Sequence, residues 1–82
     1  MNVTVLFFAA VKELVGAGEV SVRLPEHVRT VHDLAAWLEV RFPELAGRMK
    51  SVRLARNEEF AAGPEPLQEG DVIALIPPVA GG

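Results

Sequence analysis

The sequence predicts an α+β domain in which a mixed sheet packs on one main helix. Its 82 residues leave room for a single small domain. Four segments have the pattern of β-strands, whereas only one long segment repeats its apolar residues at helical spacing. Because one helical stripe can cover one face of one sheet, these observations together predict a layer of sheet against a layer of helix.

The composition is that of a folded domain without redox chemistry. Half of the residues are apolar and 23% are charged, a balance typical of globular domains rather than disordered chains. Cysteine is absent, which excludes disulfide bonds, thiolate zinc sites and a cysteine nucleophile. Because so small a domain buries only about 60% of its unfolded surface, a deep active-site cavity is not expected.

The first quarter of the chain predicts two strands joined by a short helix. Residues 2–8 alternate and are rich in β-branched and aromatic side chains, and Thr4 marks the outer face of this strand. Residues 9–15 favour a helix that ends at Gly16. Residues 19–24 alternate again and predict the second strand.

The main helix begins at Thr30, where Thr30 and Asp33 have the spacing of a capping box. Pro43 requires the helix to end by about Phe42. Trp37 lies beside the apolar stripe and is expected to be partly buried. The stripe itself follows helical spacing and consists of Val31, Leu34, Ala35, Leu38 and Phe42.

The second half of the chain predicts two more strands. Residues 51–56 form the third strand, which turns at Asn57. Residues 63–66 predict a loop, and residues 69–71 predict a tight turn. Residues 72–76 are the most apolar run and predict the central strand of the sheet.

This order of elements is that of the ubiquitin-like β-grasp fold, with a domain over residues 1–76 and an extended tail over residues 77–82. Pro77 and Pro78 end the last strand, because neither can donate a hydrogen bond to a neighbouring strand. The core is expected on the odd-numbered side of the first strand and comprises Val5, Phe7, Leu34, Leu38, Leu54 and Leu75.

Charge is spread unevenly along the chain, which carries a net charge of −3. Residues 41–56 hold five basic residues and one acidic residue, whereas residues 57–82 hold five acidic residues and no basic one. The basic segment is interpreted as a solvated surface or as a docking patch for an acidic partner. An acidic chain is a poor candidate for nucleic-acid binding. Without a membrane-length apolar stretch or a signal-peptide pattern, a cytoplasmic location is expected.

The body of the domain shows no catalytic constellation. His27 and His32 have no further ligand at metal-binding spacing, so no metal site is predicted. The adjacent Glu58 and Glu59 are better explained as solvated turn residues than as an acid–base pair. A glycine-rich phosphate loop and a nucleophile elbow are both absent. On its own, the chain is therefore not expected to be an enzyme.

The chain instead ends in Gly81-Gly82, which is either a frayed end without a role or a reactive terminus. Pro77 and Pro78 hold the tail extended, and glycine can enter a channel too narrow for other residues. Six extended residues reach roughly 20 Å, far enough to place the terminal carboxylate inside a partner's active site. After activation, for example by adenylation with ATP, a carboxylate can accept sulfur or form an amide.

The chain resembles the small, sulfur-carrier subunit of molybdopterin synthase over essentially its whole length. The resemblance is carried by residues 5–9, residues 12–14 with Gly16, Asn57-Glu58, Leu67-x-x-Gly70-Asp71 and, above all, residues 74–82. It implies a β-grasp fold with no bound cofactor, in which an activating enzyme consumes ATP to adenylate Gly82 before conversion to a thiocarboxylate. The tail, through Gly81, would enter the large catalytic subunit and give sulfur to cyclic pyranopterin monophosphate.

Other functions remain open at this point. A related thiocarboxylate carrier could serve thiamine thiazole synthesis or tRNA thiolation. A β-grasp adaptor with an inert glycine tail is a third possibility.

A docking surface is expected on the sheet face that the main helix leaves uncovered. Phe8, Phe60 and Ile76 would form an apolar patch there, because exposed apolar groups at the root of a tail are costly unless a partner covers them. The alternative is that Phe60 folds inward as a minor core residue. The remaining expected contacts are the tail residues Pro77, Pro78 and Val79, with Arg53 and Arg56 at the polar rim.

Overall fold

The computed structural model describes residues 1–78, which form a five-stranded mixed sheet with one main helix on one face. The elements in chain order are β1 (Asn2–Phe7), α1 (Ala9–Val15), β2 (Glu19–Arg23), α2 (Val31–Arg41), β3 (Arg53–Arg56), β4 (Glu59–Phe60) and β5 (Val72–Ile76). Two single 3₁₀ turns, Pro43–Leu45 and Met49–Ser51, connect α2 to β3. Among these residues, no helix has the length and apolar content needed to cross a bilayer.

The strands lie in the order β2-β1-β5-β3-β4, so the most apolar strand is central, as predicted. β5 runs parallel to β1, with Val5 opposite Ile73, and antiparallel to β3, with Leu54 opposite Leu75. Every other strand pair is antiparallel. Because β5 is the central strand and is hydrogen-bonded on both sides, the segment that follows Ile76 leaves the sheet from a well-anchored strand.

Local sequence signals set the ends of both helices. α1 ends at Gly16, whose φ of 84° is the left-handed conformation that glycine tolerates best. At the start of α2, the Thr30 hydroxyl oxygen accepts from the Asp33 N–H, and the Asp33 carboxylate accepts from the Thr30 N–H, each at 3.1 Å. The predicted capping box is therefore confirmed, and α2 ends before Pro43 as expected.

The core lies between the sheet and α2, on the predicted side of β1. Val5, Phe7 and the other predicted core residues are buried, except that Leu54 is half-buried against the core. Trp37 is half-buried, as expected. The core also includes side chains that the sequence did not single out, of which the connection after α2 contributes Leu45 and Met49.

Two features of the β3 region differ from the sequence prediction. β3 begins at Arg53 rather than Ser51, because Met49–Ser51 form a 3₁₀ turn. After the turn at Asn57, Glu59–Phe60 form the short strand β4, which was not predicted. The two-residue connection, Asn57 and Glu58, has φ values of 51° and 73°, the positive values that a tight hairpin turn requires.

Candidate functional site

The sheet face opposite α2 carries a continuous apolar groove. Consecutive side chains of a strand point to opposite faces, so the residues between the core positions of β1, β3 and β5 face away from α2. The groove is lined by Leu6, Phe8, Ala55, Asn57, Glu58, Phe60, Val72, Ala74 and Ile76. Seven of these nine residues are apolar, which suits the groove to a protein surface more than to a charged small molecule.

The three expected patch residues share this groove. Phe8 is 47% exposed and Phe60 is 57% exposed, so Phe60 does not fold into the core. Ile76 is half-buried and is the last residue of β5. Sequence reasoning did not name Leu6, Val72 or Ala74, although their even numbers on β1 and β5 place them on the face that Thr4 marks.

Arg53, which was expected at the polar rim, lies beside one end of the groove and is not one of its lining residues. It is paired with Ile76 across the β3–β5 ladder. Its guanidinium carbon lies 3.7 Å from the centroid of the Phe60 ring, a cation–π contact. The contact joins a positive charge to the apolar surface beside the root of the tail.

Arg56 is not at this rim, contrary to the sequence prediction. It is three residues from Arg53 within the same strand, so alternation directs the two side chains to opposite faces of the sheet. The Arg56 Nε donates to Asp71 Oδ2 at 2.7 Å, and the pair lies partly buried at the start of β5. Arg56 is therefore a structural residue of the hairpin rather than part of the groove.

Asp71 is the centre of a polar network that fixes the β3–β4 turn to β5. In addition to Arg56, it accepts from the Asn57 side-chain amide at 2.9 Å and from the Gln68 N–H at 2.8 Å. Asn57 is also bonded to Val72 in both directions, through its side-chain oxygen and its backbone N–H. The sequence showed Asn57 and Asp71 only as separate turn residues.

The pKa of Asp71 reports the balance in this network. Burial raises the pKa of its carboxyl, but the hydrogen bonds from Arg56, Asn57 and Gln68, with the Arg56 charge, outweigh burial and leave the pKa below its usual value. Asp71 is therefore a charged, fully bonded structural group rather than a general acid or base.

The root of the tail is the last part of the candidate site that the structure describes. Pro77 is half-buried and Pro78 is exposed, directly after the central strand. Val79, Gly81 and Gly82, the other expected tail residues, lie outside the described residues.

The histidines do not extend the site. His27 and His32 are exposed, and within residues 1–78 no three His, Asp or Glu side chains are grouped closely enough to hold a metal ion.

Comparison with known proteins relates the whole chain to one family. The model of the ThiS family matches residues 5–82. The "Molybdopterin synthase sulfur carrier subunit" of Chlamydomonas reinhardtii is 36% identical over 84 residues, with all of both chains covered.

Solved structures show the same fold. SAMP1 of Haloferax volcanii has a TM-score of 0.87 and 31% identity, again over all of both chains. A complex of subunits 1 and 2 of the molybdopterin-converting factor of Helicobacter pylori contains a chain that matches with a TM-score of 0.72 and 28% identity, with both chains fully covered. The predicted ubiquitin-like β-grasp fold is confirmed.

Proposed function

Because the chain belongs to the ThiS family, we propose that it is the sulfur-carrier subunit of a molybdopterin synthase. The name of the Chlamydomonas relative and the two-subunit complex from Helicobacter pylori support this assignment. The observation that carries it is the apolar groove beside the root of a tail that ends in Gly81-Gly82. This arrangement suits a protein that docks by its sheet and delivers its terminus to another active site.

The reacting group in this proposal is the carboxylate of Gly82. A carboxylate oxygen attacks the α-phosphorus of ATP in the activating enzyme, and pyrophosphate leaves. Sulfide (HS⁻) then attacks the acyl carbon, so that a C–S bond forms as the C–O bond to AMP breaks, and Gly82 becomes a thiocarboxylate. The large subunit transfers the sulfur of two such thiocarboxylates, one for each sulfur atom of the dithiolene, to cyclic pyranopterin monophosphate.

The body of the domain contributes placement rather than catalysis. β5 is held on both sides by β1 and β3, so the start of the tail has a fixed position relative to the groove. From Pro77 onward, six extended residues span roughly 20 Å. A partner that covers the groove can therefore receive the terminus in an active site at that depth, with Gly81 passing its narrowest part.

The same groove serves two partners in turn in this proposal. Phe8, Phe60 and Ile76 lie near the root of the tail. Together with Leu6, they are the largest apolar side chains that line the groove. The activating enzyme and the large subunit must both hold the tail, so each is expected to cover these residues. Binding to the two partners is then mutually exclusive. The carrier, once it holds sulfur, must leave the activating enzyme before it binds the large subunit.

A second candidate function is attachment to other proteins. The structural match to SAMP1, a small archaeal modifier protein, has the higher TM-score, 0.87 against 0.72 for the converting-factor subunit. An activated Gly82 would then acylate a lysine amine and release AMP, giving an isopeptide bond instead of a thiocarboxylate.

Intact mass spectrometry tests the proposal. The full chain is incubated with its activating enzyme, ATP and a sulfur donor, and one carboxylate oxygen is expected to be replaced by sulfur. The chain without Gly82 should remain unmodified and should melt at nearly the same temperature, because a terminal residue buries little surface. Thiocarboxylate on the shortened chain would show that Gly82 is not the reacting residue, and conjugates to lysine as the only product would favour the second candidate.

A further inference from the structure

Arg53 is a cation held against the apolar docking surface. Arg53 does not itself line the groove, but its pairing with Ile76 places it on the same sheet face, and its guanidinium carbon lies 3.7 Å from the centroid of the Phe60 ring. The N–H groups of a guanidinium lie at its periphery, so a contact made through its central carbon leaves donors for another partner. A donor edge is thus presented at the end of the groove where the tail begins.

Within residues 1–78, the donors of Arg53 have no partner. Its guanidinium takes part in no ion pair and no hydrogen bond there, whereas Arg56 bonds to Asp71 and the Arg29 side chain donates to the Glu26 carbonyl. The Arg53 charge is therefore not neutralised within this part of the chain. The stack on Phe60 is its single described side-chain interaction.

Docking changes the surroundings of this charge. A protein that covers Phe60 and Ile76 removes water from the adjacent guanidinium, and an uncompensated charge at such a place opposes binding. A carboxylate offers two acceptor oxygens at the spacing of the guanidinium fork and neutralises the charge. One arginine beside a mostly apolar groove suits one acidic side chain better than a nucleic-acid backbone, which needs several cations.

We propose that Arg53, held over the Phe60 ring, is the receptor for an acidic side chain of the protein that docks on this face. The inference rests on the proposed function, since it assumes that a partner covers the groove. Glu58 lines the groove at the turn end of β3, roughly 10 Å along the strand from Arg53. The two opposite charges give the groove a direction, so the acidic group must approach at the tail end.

Titration calorimetry against the cognate large subunit, at low and at physiological salt, tests this role. Arg53→Gln should weaken binding about tenfold or more and should flatten its salt dependence. Arg53→Lys keeps the charge without the planar fork, so it should retain most of the salt dependence but bind several-fold more weakly than the parent chain. Arg23→Gln is the matched control, because Arg23 is exposed on the same sheet face but on β2, outside the groove; its affinity should change less than about twofold.

The outcomes separate this inference from the proposed function. Unchanged affinity and salt dependence for Arg53→Gln, with weakened binding for Ile76→Ala, would overturn the role of Arg53 and leave the docking face intact. Unchanged affinity for both variants would mean that the partner does not use this face at all. Equal losses for Arg53→Gln and Arg23→Gln would also overturn the inference, because they would indicate a general effect of charge.

Discussion

Phe60→Ala is the substitution that best separates a docking surface from a core. The Phe60 side chain is 57% exposed in the free chain and stands on a two-residue edge strand. Truncation should therefore cost little in folding, about 1 kcal/mol or less, mainly through loss of the contact with Arg53. Its effect should appear when a partner covers the ring.

The exposed area gives the size of that effect. An aromatic side chain offers roughly 200 Å² for burial, so covering the exposed 57% removes about 110 Å² from water. At about 25 cal/mol per Å², complete burial contributes about 3 kcal/mol. Because association recovers only part of such a gain, we expect Phe60→Ala to weaken binding by about 2 kcal/mol, about 30-fold in Kd.

Calorimetric titration of the large subunit, paired with a melting curve for each variant, measures both effects. Val40→Ala is the matched control, because Val40 is 78% exposed on α2, on the other side of the sheet. Val40→Ala should leave affinity unchanged. A Phe60→Ala chain that binds normally but loses much of its stability would show instead that the ring is structural and that the partner contacts the tail alone.

Three further predictions concern the framework that holds the groove. Leu38→Ala, at a fully buried position of α2, should lower the free energy of unfolding by about 2 to 5 kcal/mol in a urea titration; a loss below about 0.5 kcal/mol would place the apolar stripe on the wrong face. Asp71→Asn should lower the free energy of unfolding by about 2 kcal/mol at neutral pH. The folded-state pKa of Asp71 lies below the unfolded value of 3.8. This loss of stability should therefore persist above about pH 4 and shrink as the pH falls through the folded-state pKa. A pH-independent cost would contradict a charged Asp71. Glu58→Gly should stabilise the chain by about 0.5 to 1 kcal/mol in thermal melts, since Glu58 has a φ of 73°, and destabilisation would show that its side chain supports the turn.

Patterns within single elements predicted most of the fold. The capping box at Thr30, the helical stripe through Leu38 and the apolar run of β5 each depend on neighbouring residues, and each was confirmed. β4 was missed because two residues are too few to show alternation and because Asn57-Glu58 lacks the glycine that marks most tight hairpins.

The candidate site was predicted only in part, because it depends on contacts between distant segments. The exposure of Phe8 and Phe60 was predicted because the sequence contains one long helix, which can cover only one face of the sheet. The bond between Arg56 and Asp71 joins residues 15 positions apart and follows from the pairing of β3 with β5, which composition does not reveal. Alternation along residues 53–56 was the available signal that Arg56 faces away from Arg53.

Transfer of labelled sulfur would distinguish a sulfur carrier from a protein modifier or an inert adaptor. The chain is converted to its thiocarboxylate with an isotopic sulfur label, purified, and mixed with the large subunit and cyclic pyranopterin monophosphate. The label is expected to leave Gly82 and to appear in the dithiolene product, and Phe60→Ala is expected to slow this transfer at subsaturating concentrations of the carrier. A label that stays on the protein, or is lost as Gly82 becomes joined to a lysine, would contradict the assignment as a sulfur carrier for molybdopterin synthesis.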